Sequence, residues 1–170
     1  MIQFALLGCG RIGSMHAANL AKAKGGRLAK VFDVTTAAAE AVAARHGCAV
    51  ATSVDEALEG VDAVLIATST PTHADLIEKA ARAGKAILCE KPIDLDLGRV
   101  KACQQAISGC DVPIQIGFNR RFDPGHRAAR EASVSGEIGK LEQVLAEAAI
   151  ESVRTGNAVE VETIAARRRT

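Results

Sequence analysis

Two short clusters in this chain have residue types and spacings that could do chemistry. One is Glu90-Lys91-Pro92, placed directly after the apolar run Ala86-Ile87-Leu88-Cys89. A lysine amine held at the end of a buried strand can exchange a proton with a reacting group. The other is Gly8-Cys9-Gly10-Arg11-Ile12-Gly13, which follows the apolar start of the chain. In this spacing Gly8 permits a tight turn, Gly10 lets a pyrophosphate approach the backbone, and Gly13 lets a helix pack on a strand. The N–H groups of a helix beginning near Arg11 and Ile12 would then face the phosphates.

Asp33 stands 20 residues after Gly13, at the end of a second β-rich run. A carboxylate there accepts hydrogen bonds from the ribose hydroxyls of an adenosine. Its charge would repel a 2′-phosphate, and Val34 supplies no cation to neutralise one. The expected cofactor is therefore NAD rather than NADP.

These residues need a scaffold, and the chain alternates β-rich and helical runs over its first 120 residues or so. Strands are expected over residues 3–7, 28–33, 49–51, 63–67, 86–89 and 114–117. Helices are expected over 12–23, 36–46, 54–58, 73–83, 95–108 and 123–134. Gly25-Gly26, Gly47, Gly60, Gly84 and Gly109 each follow a helical run, where a left-handed cap favours glycine. Ser53 and Glu56 have the spacing of a capping box. Several strands, such as residues 61–67, are continuously apolar, as in a parallel sheet covered on both faces. The fold class is thus α/β, a doubly wound parallel sheet of the Rossmann NAD(P)-binding type.

Composition bounds the rest. A chain of 170 residues fits one domain with a short appendage, and 48% apolar residues can supply its core. With four Phe and no Trp or Tyr, that core must be aliphatic. A net charge of +1 gives no reason to expect nucleic acid or a membrane surface as partner. There is no signal-peptide pattern at the N-terminus and no apolar stretch of membrane-spanning length. The five cysteines, Cys9, Cys48, Cys89, Cys103 and Cys110, are odd in number and form no C-x-x-C pair. A reducing, cytoplasmic setting is expected, with no metal site.

Four segments now carry a resemblance. They are Gly8–His16, Ala67-Thr68-Ser69-Thr70-Pro71-Thr72-His73, Glu90-Lys91-Pro92 and Gly117-Phe118-Asn119-Arg120-Arg121-Phe122-Asp123-Pro124. In order and spacing they resemble the glucose–fructose oxidoreductase and inositol dehydrogenase family (Gfo/Idh/MocA), most of all its inositol 2-dehydrogenases. That resemblance covers residues 1 to about 144. It implies oxidation of a CH–OH group of a sugar or cyclitol with NAD or NADP. It also implies that Lys91 contacts the reacting hydroxyl, beside Glu90, and that Pro92 shapes the turn. The loop with Thr68, Thr70 and His73 would run along the cofactor, and Asn119 and Arg120 would lie beside the nicotinamide. Plainer readings stand next to these: His73 as a residue that opens the following helix, Arg120 and Arg121 as surface cations. His16, His46 and His126 are read as structural.

Family members complete Lys91 with an aspartate and a histidine in a D-x-x-x-H pattern from a second domain. No such pattern follows Gly139, and no histidine follows His126. Residues 145–162 resemble instead the helix and short strand that return to the nucleotide domain at the end of these proteins. The expected organisation is a nucleotide domain over 1–144, a returning helix and strand over 145–162, and a disordered tail over 163–170. On this reading the sheet domain is deleted, and the chain binds NAD(H) without appreciable turnover as a monomer or a new homodimer. Two alternatives remain: an active dehydrogenase completed by oligomerisation, and a structural or regulatory protein without ligand.

Overall fold

The computed structural model describes residues 1–135. The chain divides into two compact units, Met1–Phe118 and a second that begins at Asn119. In the first, strands β1 (Ile2–Leu7), β2 (Gly26–Phe32), β3 (Ala49–Val50), β4 (Ala63–Ile66), β5 (Ala86–Cys89) and β6 (Ile114–Ile116) form one sheet in the order β3-β2-β1-β4-β5-β6. Every neighbouring pair is parallel. Between the strands run α1 (Arg11–Leu20), α2 (Thr36–His46), α3 (Val54–Leu58), α4 (His73–Arg82) and α5 (Leu97–Ala106).

Alternation along the strands divides the core into two layers, because successive side chains leave opposite faces of a sheet. Ala5, Leu7, Val64 and Ile66 belong to one buried cluster with Ala74, Ile77, Ala80 and Ala81 of α4. Leu6 and Leu65, one position along, join Ala17 of α1 and Ala39, Val42 and Ala43 of α2 in the other. Both faces of the central strands are therefore covered, which is why β4 reads as an unbroken apolar run. A side chain such as Ile66, fully buried, stabilises the fold by about 1.5–3 kcal/mol relative to an exposed one.

Two expected caps are corrected. Helix α1 ends at Leu20, so Gly25, at φ +95°, belongs to the turn into β2, and Gly26 is the first residue of that strand. Gly109 has no positive φ; α5 closes earlier, with Ile107 N–H donating to the Cys103 carbonyl. Gly47 does close α2 in the left-handed conformation. Helix α5 begins two residues later than expected because Asp96 Oδ1 accepts the Arg99 N–H at 3.0 Å. Arg99 then ties α5 to α4, donating to Glu78 Oε1 at 2.7 Å and to Asp75.

The cap of α3 is half as expected. Ser53 Oγ accepts the Glu56 N–H at 3.1 Å. The Glu56 carboxylate, however, passes over the Ser53 N–H and accepts from the N–H and hydroxyl of Thr52, at 2.7 and 2.6 Å. Those two bonds hold its pKa below the ordinary glutamate range.

In the second unit a 3-10 turn, Asn119–Phe122, leads into α6 (Pro124–Val134). Asp123 caps this helix through the His126 N–H at 3.0 Å, with Pro124 in its first turn. The last residues of the expected nucleotide domain, 136–144, and the segments expected over 145–162 and 163–170 lie outside the described residues.

Candidate cofactor site

Strand β1 ends in Gly8, whose φ of +92° lies where side chains are disfavoured. A Cβ on Gly8 would sit 2.6 Å from the backbone of Ala67, at the end of β4. Gly13 is tighter still: its Cβ would fall 1.8 Å from the Gly8 carbonyl oxygen. These two glycines therefore let α1 rest directly on the β1 turn. Gly10 differs, because a Cβ there would meet nothing within 4 Å. Its backbone is extended, so open space beside it, and not strain, is what a side chain would take up.

That space faces the start of α1. The helix has no side-chain cap and no acidic residue in its first turn. Its leading amides, Arg11 and Ile12 among them, lack partners within the helix and carry the positive end of its dipole. The arrangement suits a phosphate.

Asp33 forms the opposite wall. Its Oδ2 accepts the Cys9 N–H at 2.7 Å and its Oδ1 accepts the Thr35 N–H at 2.7 Å. Both bonds fix the plane of the carboxylate while leaving each oxygen a further lone pair. Gly8, Gly10, Asp33, Val34, Thr68 and Thr72 help to line a cleft of about 490 Å³, a volume suited to a small organic ligand. It opens at the C-terminal ends of β1, β2 and β4, where the strand order reverses. A hollow of about 520 Å³ at the other ends of the strands, lined by Ile2, Phe4, Ala63 and Ile114 among others, has no glycine turn and no helix start.

The loop after β4 runs beside this cleft. The Thr68 and Thr72 hydroxyls meet at 2.7 Å, and Thr70 begins the 3-10 turn Thr70–Thr72. His73 is the first residue of α4, in keeping with the plainer expectation for it, and its side chain is buried. One ring nitrogen lies 3.0 Å from the Thr68 carbonyl oxygen, the other 2.7 Å from that of Pro92. His73 thus joins the cofactor loop to the lysine turn.

Lys91 is exposed, two residues beyond β5. The Lys91–Pro92 peptide bond is cis. Beside it, Glu90 Oε1 pairs with His16 Nε2 of α1 at 2.7 Å, with both side chains largely buried. The Glu90 carboxylate also lies 3.1 Å from where a Gly117 Cβ would be. His16, read from the sequence as structural, is brought to Glu90 by the fold. The only signal for it was its place three residues after Gly13, and its partner lies 74 positions away.

Asn119 and Arg120 belong to the second unit. There Arg120 reaches Asp123 at 3.4 Å, and Arg121 is exposed.

All five cysteines are free thiols, with Cys9, Cys89 and Cys103 buried in the core. Burial, with nearby Asp33, pushes Cys9 up to about 12; burial, with Glu90, does the same for Cys89. Neither is a nucleophile near neutrality. Among the described residues no group of three or more His, Cys, Asp or Glu could hold a metal ion. No helix among them is long and apolar enough to cross a membrane.

Comparison with known proteins agrees with this geometry. The model of the oxidoreductase family, NAD-binding Rossmann fold, matches residues 2–118. An inositol 2-dehydrogenase of Rhizobium meliloti is 52% identical over 144 residues, which cover 84% of this chain and 44% of that protein. The scyllo-inositol 2-dehydrogenase (NAD(+)) of Bacillus subtilis is 44% identical over 144 residues, 82% of this chain and 42% of its own. The crystal structure of scyllo-inositol dehydrogenase from Lactobacillus casei with bound cofactor NAD(H) and scyllo-inositol aligns with a TM-score of 0.76 at 33% identity. It covers 82% of this chain and 42% of its own. The chain spans less than half the length of these relatives. With a family model matched over residues 2–118 and a parallel sheet of this order, the chain belongs to the Gfo/Idh/MocA oxidoreductase family, of which it carries the NAD-binding Rossmann domain.

Proposed function

We propose that this chain binds NAD(H) in preference to NADP(H), as the nucleotide-binding part of a dehydrogenase acting on a CH–OH group of an inositol or related polyol. The observation that carries the cofactor reading is Asp33, held rigid by two backbone N–H groups across a cleft from an uncapped helix start. The substrate class rests on relatives named for inositol.

Bound cofactor would supply a nicotinamide ring able to accept a hydride. Gly8, Gly10 and Gly13 bring the backbone to the pyrophosphate, and the Arg11 and Ile12 amides meet its charge. Asp33 accepts from the ribose hydroxyls and repels a 2′-phosphate. Thr68 and Thr70 line the loop beside the dinucleotide, with His73 beneath them. Lys91 exchanges the proton of the reacting hydroxyl, while Glu90 braces its turn.

Lys91 is half of an acid–base set. With no D-x-x-x-H pattern after Gly139 in its 170 residues, this chain by itself is expected to bind cofactor without appreciable turnover. Calorimetric titration with NADH and NADPH tests the reading. NADH should bind tighter by about tenfold or more, equivalent to about 1.4 kcal/mol. An absence of NADH binding would sink the proposal, and tighter NADPH binding would overturn the role of Asp33.

A further inference from the structure

We infer that His73 is a positioning residue that couples occupancy of the nucleotide cleft to the placement of Lys91. The inference deepens the cofactor reading above and rests on it. His73 is 2% exposed, and no other polar or charged side chain among the described residues is so fully buried. Its two ring nitrogens face two carbonyl oxygens, 2.7 Å away at Pro92 and 3.0 Å away at Thr68. A carbonyl oxygen only accepts, so each contact needs an N–H on the ring. A ring with one N–H satisfies one carbonyl and sets a lone pair against the other; a ring with two satisfies both. The tautomer therefore selects which loop is held.

Those loops have different duties. Thr68 lines the cleft with Ala67, Ser69 and Thr72. Pro92 follows Lys91 directly, so the hold of His73 on the Pro92 carbonyl restrains the turn that carries the lysine. A nucleotide that displaces the Thr68 carbonyl changes the ring's best tautomer and with it the hold on Pro92. Such a discrete element, biased from one end and read at the other, is the physical requirement for coupling. It makes the effect reciprocal.

Adenosine diphosphate is the probe, since it would fill the adenosine and pyrophosphate end and lacks the nicotinamide. Lysines of the full chain are tagged with isotope-labelled methyl groups, and the Lys91 signal is assigned by its loss in Lys91→Arg. In the unsubstituted protein the Lys91 signal should move in step with ADP binding measured by calorimetry. With each variant brought to ADP saturation as read by calorimetry, His73→Leu should lose that movement, and His73→Gln, which keeps an N–H donor group, should retain part of it. A role confined to folding would change stability and leave the response at full size. A full response in His73→Leu, or a silent Lys91 in the unsubstituted protein with ADP bound, would overturn the inference. Should the variants not fold, the ring nitrogens of His73 in the unsubstituted protein decide it. They should shift on ADP binding, and unchanged ring signals would overturn the coupling. Failure to bind ADP or NADH at all would instead refute the cofactor reading, and the coupling with it.

Discussion

Gly10 and Gly13 look alike in the motif and differ in what they touch. Gly13→Ala would drive a methyl to 1.8 Å from the Gly8 carbonyl, and overpacking of this kind costs about 1–3 kcal/mol or more. Its urea midpoint should fall. Gly10→Ala meets no atom within 4 Å, so its midpoint should hold while NADH affinity drops about tenfold or more. Equal effects of the two on unfolding would contradict this division. Asp33→Ala should do both things at once. It strips the acceptor from the Cys9 N–H in the part-buried turn, at about 1–3 kcal/mol of stability. On the proposed role of Asp33 it also removes the charge that repels a 2′-phosphate, so the gap between NADH and NADPH should narrow. A gap that stays as wide would show that selectivity lies elsewhere. The place of Asp33 beside the glycine turn was legible in the sequence because it depends on distance along the chain from that turn. The clasp of His16 on Glu90 was not, because it depends on α1 and the end of β5 meeting in space.

At the scale of elements, caps carry the testable energetics. Ser53→Ala removes the acceptor for the Glu56 N–H and should cost about 1 kcal/mol of stability, read from urea unfolding. The cap of α6 should show itself in a titration. The His126 N–H, and then its ring, hold the Asp123 carboxylate down from 3.8 to about 2. A depressed acid stabilises the folded state above its ordinary value, and that contribution is lost as pH falls through the folded one. The amide signal of His126 should therefore titrate near pH 2; a midpoint near 4, the ordinary aspartate range, would mean the cap does not form. Strands and helices were legible from period and punctuation, as β5 and α2 illustrate. Their ends were less so: the run before α5 continues the apolar pattern into Leu95, and only Asp96 accepting from Arg99 sets the true start.

At the scale of the molecule, the cleft exists because α1 and α2 cover one face of the sheet and α4 and α5 the other, so that the connections after the paired strands β1 and β4 leave to opposite faces. Unbroken apolar strands alternating with helices already implied that arrangement. On the proposed function, Lys91 lacks the aspartate and histidine that the family resemblance implies come from a second domain. Loss of one general base costs a rate factor of about 10²–10⁴, and loss of substrate positioning adds to it. The 170-residue chain should therefore form NADH from myo-inositol at least about a hundredfold more slowly than a full-length dehydrogenase of the family under matched conditions, while binding NADH measurably. Lys91→Ala should leave that binding in place. A rate comparable to the full-length enzyme, abolished in Lys91→Ala, would refute the expectation and favour a site completed between chains. In that event light scattering should show an oligomer whose dissociation on dilution takes the activity with it.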